Sequence, residues 1–490
     1  MTKKLSELAL LIPEAEILGD DVSISGIEHD SRKVTTKNLF VCMEGAHVDG
    51  HNFIPQAVSN GAIAILTTRR NFTPPENISA LIVPDMLNAL AVIVPYFYDY
   101  PARTMRVIGV TGTNGKTTTT YLLREIFQEA GFNVGLIGTI QILIGDESLP
   151  NPNTTPNVID LQHLLADMRD KNIQVVVMEV SSHALAENRV AGIEFDTAIF
   201  TNLTQDHLDF HKTMENYLRA KTRLFDMVSR RGRKQNKTAV INLDDAASEE
   251  ILRHCLCKKI TYGVEKSADL RATELEIKSD GMNFKIRDVM NLSLHVTGLF
   301  NVYNILAAIG AALAENIRPD IIKNALENFR SVPGRFERIF ADVPFEVIVD
   351  YAHTPDGVKN VLQTARQIAA GKIITVFGCG GDRDNSKRPI MGALAAKFSD
   401  IVIATSDNPR TENPEKILDE IEVGIGDKIH ERIVDRRAAI FRAIELADAG
   451  DIVLILGKGH ENYQILNTGK IHFDDREVAK LAIEEATTHE

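Results

Sequence analysis

The chain has 490 residues, which at roughly 100–200 residues per domain suggests about three domains, each large enough to bury its own core. Hydrophobic residues at 44% and charged residues at 25% stand near the soluble average and exclude a disordered, collagenous or coiled-coil chain. With 54 Lys and Arg against 67 Asp and Glu the net charge is −13, and no long basic run offsets it, so nucleic acid is not expected as a partner. Cys42, Cys255, Cys257 and Cys379 form neither a disulfide framework nor a two-residue-spaced zinc pair, which fits a reducing compartment. The apolar stretch 8–12 is cut by Pro13 and Glu14, too early for a signal peptide. The longest apolar runs, such as 89–95, fall short of the roughly 18 residues of a membrane span, so a cytoplasmic protein with no membrane partner is expected.

Residues 1 to about 100 mix strand-like runs (39–43, 62–66, 80–83) with helical ones until Tyr98-Asp-Tyr-Pro-Ala-Arg103 marks a boundary near Pro101. From Arg106 an apolar run enters a Gly/Thr loop and a helical stretch to Ala130, with Gly131 placed as a C-cap and 134–138 as the next strand, a βαβ unit. Runs at 175–180, 197–201 and 238–242 alternate with helical segments, the pattern of a mostly parallel sheet covered by helices. Between about 270 and 297 the period drops to two around Ser279-Asp280-Gly281, so an antiparallel hairpin is attached there. Helical runs from Asn301 and Pro319 end near the linker Ser331-Val-Pro-Gly334. Beyond it, buried-strand runs at 347–350, 373–377, 401–405 and 452–456 separated by helical segments read as a doubly wound, Rossmann-like domain. The expected fold class is α/β in three domains: 1–100, a central P-loop-type domain over 101–333, and 334–490.

Val107-Ile-Gly-Val-Thr-Gly-Thr-Asn-Gly-Lys-Thr-Thr118 is the most specific signal. A strand runs into a glycine-rich turn that opens a helix, so main-chain N–H groups and the helix dipole meet an anion in a cradle of Gly112, Thr113, Asn114, Gly115 and Thr118. Lys116 can reach the β- and γ-phosphates and Thr117 is placed for magnesium. The spacing departs from the standard rule, which would put glycine at Val110, whereas Gly109 and Gly112 flank it; a turn without a ligand is the alternative. Glu179 ends the run 175–180, where a nucleotide-bound magnesium needs an oxygen, or else it is a surface glutamate.

Thr111-Gly-Thr-Asn-Gly-Lys-Thr117, Glu179-Val-Ser-Ser-His183, Thr201-Asn-Leu-Thr-Gln-Asp-His207-Leu-Asp-Phe-His211, Gly298-Leu-Phe-Asn-Val-Tyr-Asn304 and Pro333-Gly-Arg335-Phe-Glu337 resemble the Mur ligases in sequence and order, over nearly the whole chain. The resemblance implies an enzyme that joins a carboxylate to an amine with ATP through an acyl phosphate, with Mg2+, and with Lys116, Glu179, His207 and Lys221 catalytic. It implies that Thr117 and Glu179 hold one magnesium and that His207 helps to hold a second. It also implies that Lys221 is carbamylated, an anion that stabilises the second metal. From sequence alone Lys221 is a helix-surface lysine. Asn301 and Asn304 would contact the nucleotide, helix N-capping being the competing reading for Asn301. Arg335 would approach the nucleotide as the last domain closes and excludes water.

Gly378-Cys-Gly-Gly-Asp-Arg383-Asp, Ser406-Asp-Asn-Pro-Arg410 and Gly457-Lys-Gly-His-Glu461 each follow a predicted strand, at the end of a doubly wound sheet where ligands bind. Arg383 and Arg410 suit the carboxylates of an amino acid, and Glu461 its ammonium. Asp407-Asn408-Pro409-Arg410 is similar to the family version that selects meso-diaminopimelate over L-lysine. Lysine lacks the second carboxylate and would leave Arg410 buried without a partner. Asp30-Ser31-Arg32 and Glu44-Gly-Ala-His-Val-Asp-Gly-His51 resemble the loops that take the uridine diphosphate end of a UDP-N-acetylmuramoyl-dipeptide, Ser31 on the uracil side and Ala46, His47 and Val48 at the pyrophosphate. Asn153, Thr154, Thr155, Ser181 and Arg189 match positions that grip the muramoyl-peptide. Glu187 stands where the family usually has glutamine, and a carboxylate cannot donate as the amide does. The setting implied is peptidoglycan synthesis by a monomer. The rival readings are the same ligase with L-lysine, a folylpolyglutamate synthetase-like ligase, a P-loop switch or motor, and a non-catalytic scaffold.

Overall fold

The computed structural model describes residues 2–45, 48–151 and 153–488. They form two compact units, one of Met1–Gly109, Phe132–Asp196 and Met227–Lys237, the other of Val110–Gly131, Thr197–Asp226 and Thr238–Glu490.

The first unit opens with a five-stranded sheet in the order Glu16–Leu18, Ser79–Ile82, Ala62–Thr67, Asn38–Val41, Gly26–Glu28. Only Glu16–Leu18 runs antiparallel to its neighbour. Alternate side chains go to opposite faces: Leu39, Val41, Ala64 and Leu66 meet Leu90, Ile93 and Phe97 of helix Met86–Phe97, while Phe40, Cys42 and Ile65 pack with Ile54 and Ala57. Farther along the same unit, Val134–Ile137 pairs in parallel with Val175–Glu179, and Ile142–Ile144 and Glu147–Leu149 add an antiparallel edge. Val175–Glu179 is buried at every residue, as a parallel strand covered on both faces must be.

In the second unit Thr197–Phe200, Thr238–Asn242, Lys258–Gly263 and Leu270–Lys278 run parallel. Leu270–Lys278 then turns at Ser279-Asp280 into the antiparallel strands Gly281–Ile286 and Met290–Leu294, where the period-two pattern placed a hairpin. Helix Leu299–Ala314 buries Ile305, Leu306, Ile309 and Ala312, and the Thr197 hydroxyl donates to its C-cap Glu315 at 2.7 Å. A six-stranded sheet follows, in the order Glu337–Arg338, Glu346–Asp350, Ile452–Leu456, Ile373–Phe377, Ile401–Ala404, Glu431–Arg432, parallel except for the first strand. Ile373, Phe377, Val402, Leu454 and Leu456 face helices Pro355–Ile368, Lys387–Phe398 and Pro414–Ile425, and the alternate Ile374, Val376, Ile403, Val453 and Ile455 face Arg436–Glu445 and Asp475–Thr488. The sheet is therefore doubly wound, and its strand ends open on the loops that carry Arg383, Arg410 and Glu461. Among the described residues no helix is long and apolar enough to cross a membrane.

Candidate active site

The turn after strand Arg106–Thr111 opens helix Lys116–Glu129 with Gly115 at the N-cap, at φ +86°. A Cβ there would lie 2.3 Å from Asn304 Oδ1, so only glycine brings this backbone against Asn304. Lys116 folds over the loop and donates from Nζ to the Gly112 carbonyl at 3.0 Å and the Thr113 carbonyl at 2.8 Å. Lys221 Nζ reaches the same Gly112 carbonyl at 2.8 Å, over the Tyr217 ring at 4.4 Å. It is 1% exposed, which corrects the sequence-alone reading of a surface lysine. The signal was present: Lys221 lies on the apolar face of helix Met214–Ser229, among Tyr217, Ala220, Leu224, Phe225 and Val228, all buried. Burial, reinforced by the nearby Lys116 charge, pushes the Lys221 ammonium well below the ordinary lysine range.

A cavity of about 350 Å³ lies beside this loop, lined by Asn114, Gly115, Thr117, Thr118, Asn304 and Arg335, and also by Asp350, Tyr351, His353 and Asp356. Its glycine-bounded mouth at a helix N-terminus fits a nucleotide. Arg335 crosses it, stacked 4.5 Å over the Tyr351 ring and donating to the Thr117 hydroxyl at 3.0 Å, and Asn114 Nδ2 donates to Asp356 at 2.9 Å. The Asp350-Tyr-Ala-His-Thr-Pro-Asp356 segment was missed from sequence, although it follows a buried strand in the manner of the other loops. Asn301 is not the helix cap: Gly298 is, and Asn301 Nδ2 donates to the Thr297 carbonyl at 2.8 Å while its Oδ1 accepts from Asn304 at 3.2 Å.

His207 holds φ +54°; its main-chain N–H donates to Asp206 Oδ1 at 2.9 Å, and its Nε2 lies 3.3 Å from Asp206 Oδ2. Burial opposes ionisation of Asp206, but the charges of His207, His353 and Lys387 outweigh it and lower its pKa to about 2. In the first unit Glu179 is fully buried, not a surface residue, and its two oxygens accept the Thr139 N–H at 2.8 Å and hydroxyl at 2.9 Å. Thr155 donates to the Glu179 carbonyl at 2.8 Å and accepts the Ser181 N–H at 3.1 Å, and Thr154 meets Thr139 at 3.0 Å. Arg189 reaches the Thr155 carbonyl at 3.1 Å and is held by Glu187 at 2.6 Å, so the carboxylate here orients the arginine. Asn153 is exposed on a bend, its N–H 3.4 Å from Asn151 Oδ1.

The loops that carry Arg383, Arg410 and Glu461 come together in the second unit. Arg410 Nη1 donates to the Gly381 carbonyl at 2.5 Å, Asn408 Nδ2 to Glu461 at 2.9 Å, and buried Lys458 to the same Glu461 oxygen at 3.0 Å. Gly457, at φ +116°, leaves room for Asp407, whose Oδ2 would lie 2.6 Å from a Cβ. Pro409 lies buried in this loop, and Arg383 is exposed with Nη1 3.4 Å from the Asp382 carbonyl. Toward the N-terminus, Ser31 donates to Gln56 at 2.7 Å beside the Asp30–Arg32 pair. Val48 is exposed, and Ala46 and His47 lie outside the described residues. Glu44, Asp49 and His51 converge within 4.8 Å, but Arg69 already binds Glu44 at 2.9 Å and Asp49 at 2.5 Å, so this cluster is held by a cation of its own.

Comparison with known proteins accords with this geometry. The chain matches the family described as Mur ligase family, catalytic domain, over residues 23–103, the Mur ligase middle domain over 110–312, and the Mur ligase, glutamate ligase domain, over 334–459. It is 47% identical over 466 residues to a UDP-N-acetylmuramoyl-L-alanyl-D-glutamate–2,6-diaminopimelate ligase of Syntrophomonas wolfei, covering 94% of each chain. The protein of the same name from Clostridium botulinum is 46% identical over 469 residues, 94% of this chain and 95% of the other. A solved structure of such a ligase superposes with a TM-score of 0.67 at 33% identity, covering 99% of this chain and 100% of that one. The MurF ligase of Thermotoga maritima in complex with ADP shares the fold, with a TM-score of 0.66 at 19% identity over 94% and 97% of the two chains. Motifs, fold and relatives over nearly the full length agree, and the chain belongs to the Mur ligase family.

Proposed function

We propose that this chain is an ATP-dependent, ADP-forming ligase that adds meso-diaminopimelate to the glutamyl carboxylate of UDP-N-acetylmuramoyl-L-alanyl-D-glutamate in peptidoglycan synthesis. The observation that carries the reading is the convergence of the Arg410 and Glu461 loops at the strand ends of the sheet that follows the phosphate loop; relatives named for this reaction match across that region. Ligation must bring a carboxylate against a γ-phosphate, two anions, so the site has to supply cations and hold both groups still. Lys116 and the helix N-terminus serve the phosphates, Asn301, Asn304 and Arg335 the nucleoside side. Thr117, Glu179, His207 and carbamylated Lys221 would hold magnesium, which when bound neutralises phosphate charge. A fully buried lysine stripped of its proton is a nucleophile for carbon dioxide: its nitrogen bonds the carbon, a proton leaves, and the product is an anion with two oxygen ligands.

On this reading Arg383 and Arg410 take the acceptor carboxylates and Glu461 its ammonium, with Asp407, Asn408, Pro409 and Gly457 shaping the crevice. Ser31, Ala46, His47 and Val48 meet the uridine diphosphate, and Asn153, Thr154, Thr155, Ser181, Glu187 and Arg189 the muramoyl-peptide. Domains 1–100, 101–333 and 334–490 then serve the UDP substrate, ATP and the amino acid in turn, in a cytoplasmic monomer. The test is a purified-enzyme assay of ADP release and amide product with ATP, the UDP-muramoyl-dipeptide, and meso-diaminopimelate, L-lysine or L-ornithine. Product with meso-diaminopimelate is expected. Product only with lysine would reverse the acceptor assignment, and ADP release indifferent to any amino acid would point to an NTPase instead.

A further inference from the structure

The loops 406–410 and 457–461 follow strands Ile401–Ala404 and Ile452–Leu456, which are separated in the sheet by Ile373–Phe377. No ladder hydrogen bond can join them; Asn408 meets Glu461 across their tips at 2.9 Å, and at their bases a single buried side chain bridges both. Arg436, the first residue of helix Arg436–Glu445, is 2% exposed and donates from Nη1 to the Ser406 carbonyl at 3.2 Å and from Nη2 to the Leu456 carbonyl at 2.9 Å. These carbonyls immediately precede Asp407 and Gly457. Nε and Nη2 each meet an oxygen of fully buried Asp475 at 2.7 Å. A buried ion pair is weak evidence for stability, because fitted apolar side chains do as well. A rigid fork holding two carbonyls at a set separation does what an apolar pair cannot.

Resting on the ligase reading, we propose that Arg436, oriented by Asp475, is a positioning residue that sets the spacing between the Asp407–Arg410 loop and the Glu461 loop, and so the fit of the acceptor amino acid. Arg436 acts through the two carbonyls and touches none of the phosphate-loop groups described above. The double variant Arg436→Met/Asp475→Leu removes both charges at similar volume. In the full chain it is expected to fold cooperatively with a Tm lowered only by the two carbonyls left without a donor, to raise KM for meso-diaminopimelate tenfold or more, and to leave KM for ATP and for the UDP substrate within twofold. Arg436→Lys, which keeps the charge without the fork, should fall between. Amide hydrogen exchange at 406–411 and 457–461 should quicken while 112–118 stays as in wild type. That readout needs no turnover, so a wild-type enzyme that ignores diaminopimelate would sink the ligase reading and leave the loop clamp to be judged by exchange. A double variant that fails to fold, three KM values rising together, or an unchanged exchange pattern would each overturn the proposal.

Discussion

The side-chain nitrogens of Lys116 and Lys221 share the Gly112 carbonyl, and their surroundings divide their roles. Lys116 can swing from the carbonyls to a phosphate, whereas Lys221 is locked under Tyr217. Lys116→Ala should therefore abolish ligation and leave the thermal transition nearly unchanged, because the main-chain N–H groups persist while the cation that neutralises the transferred phosphate is lost. Calorimetry beside the ADP assay checks this, and near-normal turnover would remove the nucleotide assignment. Lys221→Ala should be severely impaired and partly rescued by a short carboxylate in solution, since a carbamate supplies only negative charge and oxygen atoms; intact activity without rescue counts against carbamylation. If Arg410 pairs with the second carboxylate of meso-diaminopimelate, Arg410→Ala loses a charge-assisted pair worth roughly 2–5 kcal/mol, about thirtyfold or more in kcat/KM for that substrate. Lysine, which never fills that site, should lose much less, and equal losses would mean that Arg410 only shapes its loop.

In the C-terminal sheet the loops after Ile373–Phe377, Ile401–Ala404 and Ile452–Leu456 are held by a few close approaches. Gly457 lets the loop after Ile452–Leu456 pass Asp407 at a distance no Cβ permits. Gly457→Ala would combine that clash with a left-handed backbone and should cost about 1–3 kcal/mol of stability while reducing diaminopimelate turnover more than ATP affinity. Urea unfolding with KM measured for each substrate tests it. At the other end of the loop system, Arg388 joins Gly380 at 3.2 Å to Glu412 at 2.9 Å and Glu420 at 3.0 Å, so the loops bearing Arg383 and Arg410 are tied at their bases.

For the whole molecule, acid is the sensitive direction. Burial lowers His353 to about 4 and His460 to about 3, the charge of Lys387 adding to the first and that of Arg335 to the second. The unfolded chain, with histidine near its ordinary value of about 6.5, then binds more protons than the fold below that pH. Stability is fully present above about 6.5 and is lost as pH falls toward about 4, by up to about 1.4 kcal/mol per pH unit for each group. Depression of the Asp206 carboxyl to about 2 adds a further loss below about 4. Urea midpoints between pH 7 and pH 4 should fall, and His353→Gln with His460→Gln should flatten the slope; a slope equal to wild type would place the acid lability elsewhere.

The sequence by itself determined the elements and the family, because both are written in local order. Strand–turn–helix around Thr111–Thr117, the alternation around Ser279–Gly281 and the loops after each C-terminal strand depend on residues a few positions apart, and the chain formed all of them. Lys221 shows the limit of that reading. Its place on an apolar helix face was visible, but its contact with Gly112, across more than a hundred residues, depends on how the strand turns back over the helix. The same holds for Arg436, whose partners Ser406, Leu456 and Asp475 come from three separate elements. Asn301 was misread as a possible cap because the side-chain signal cannot tell the first turn from its edge, and Gly298 began the helix three residues earlier. Long-range placement is decided by which faces bury together, and burial is a property of the packed sheet and its helices, which no stretch of sequence contains alone.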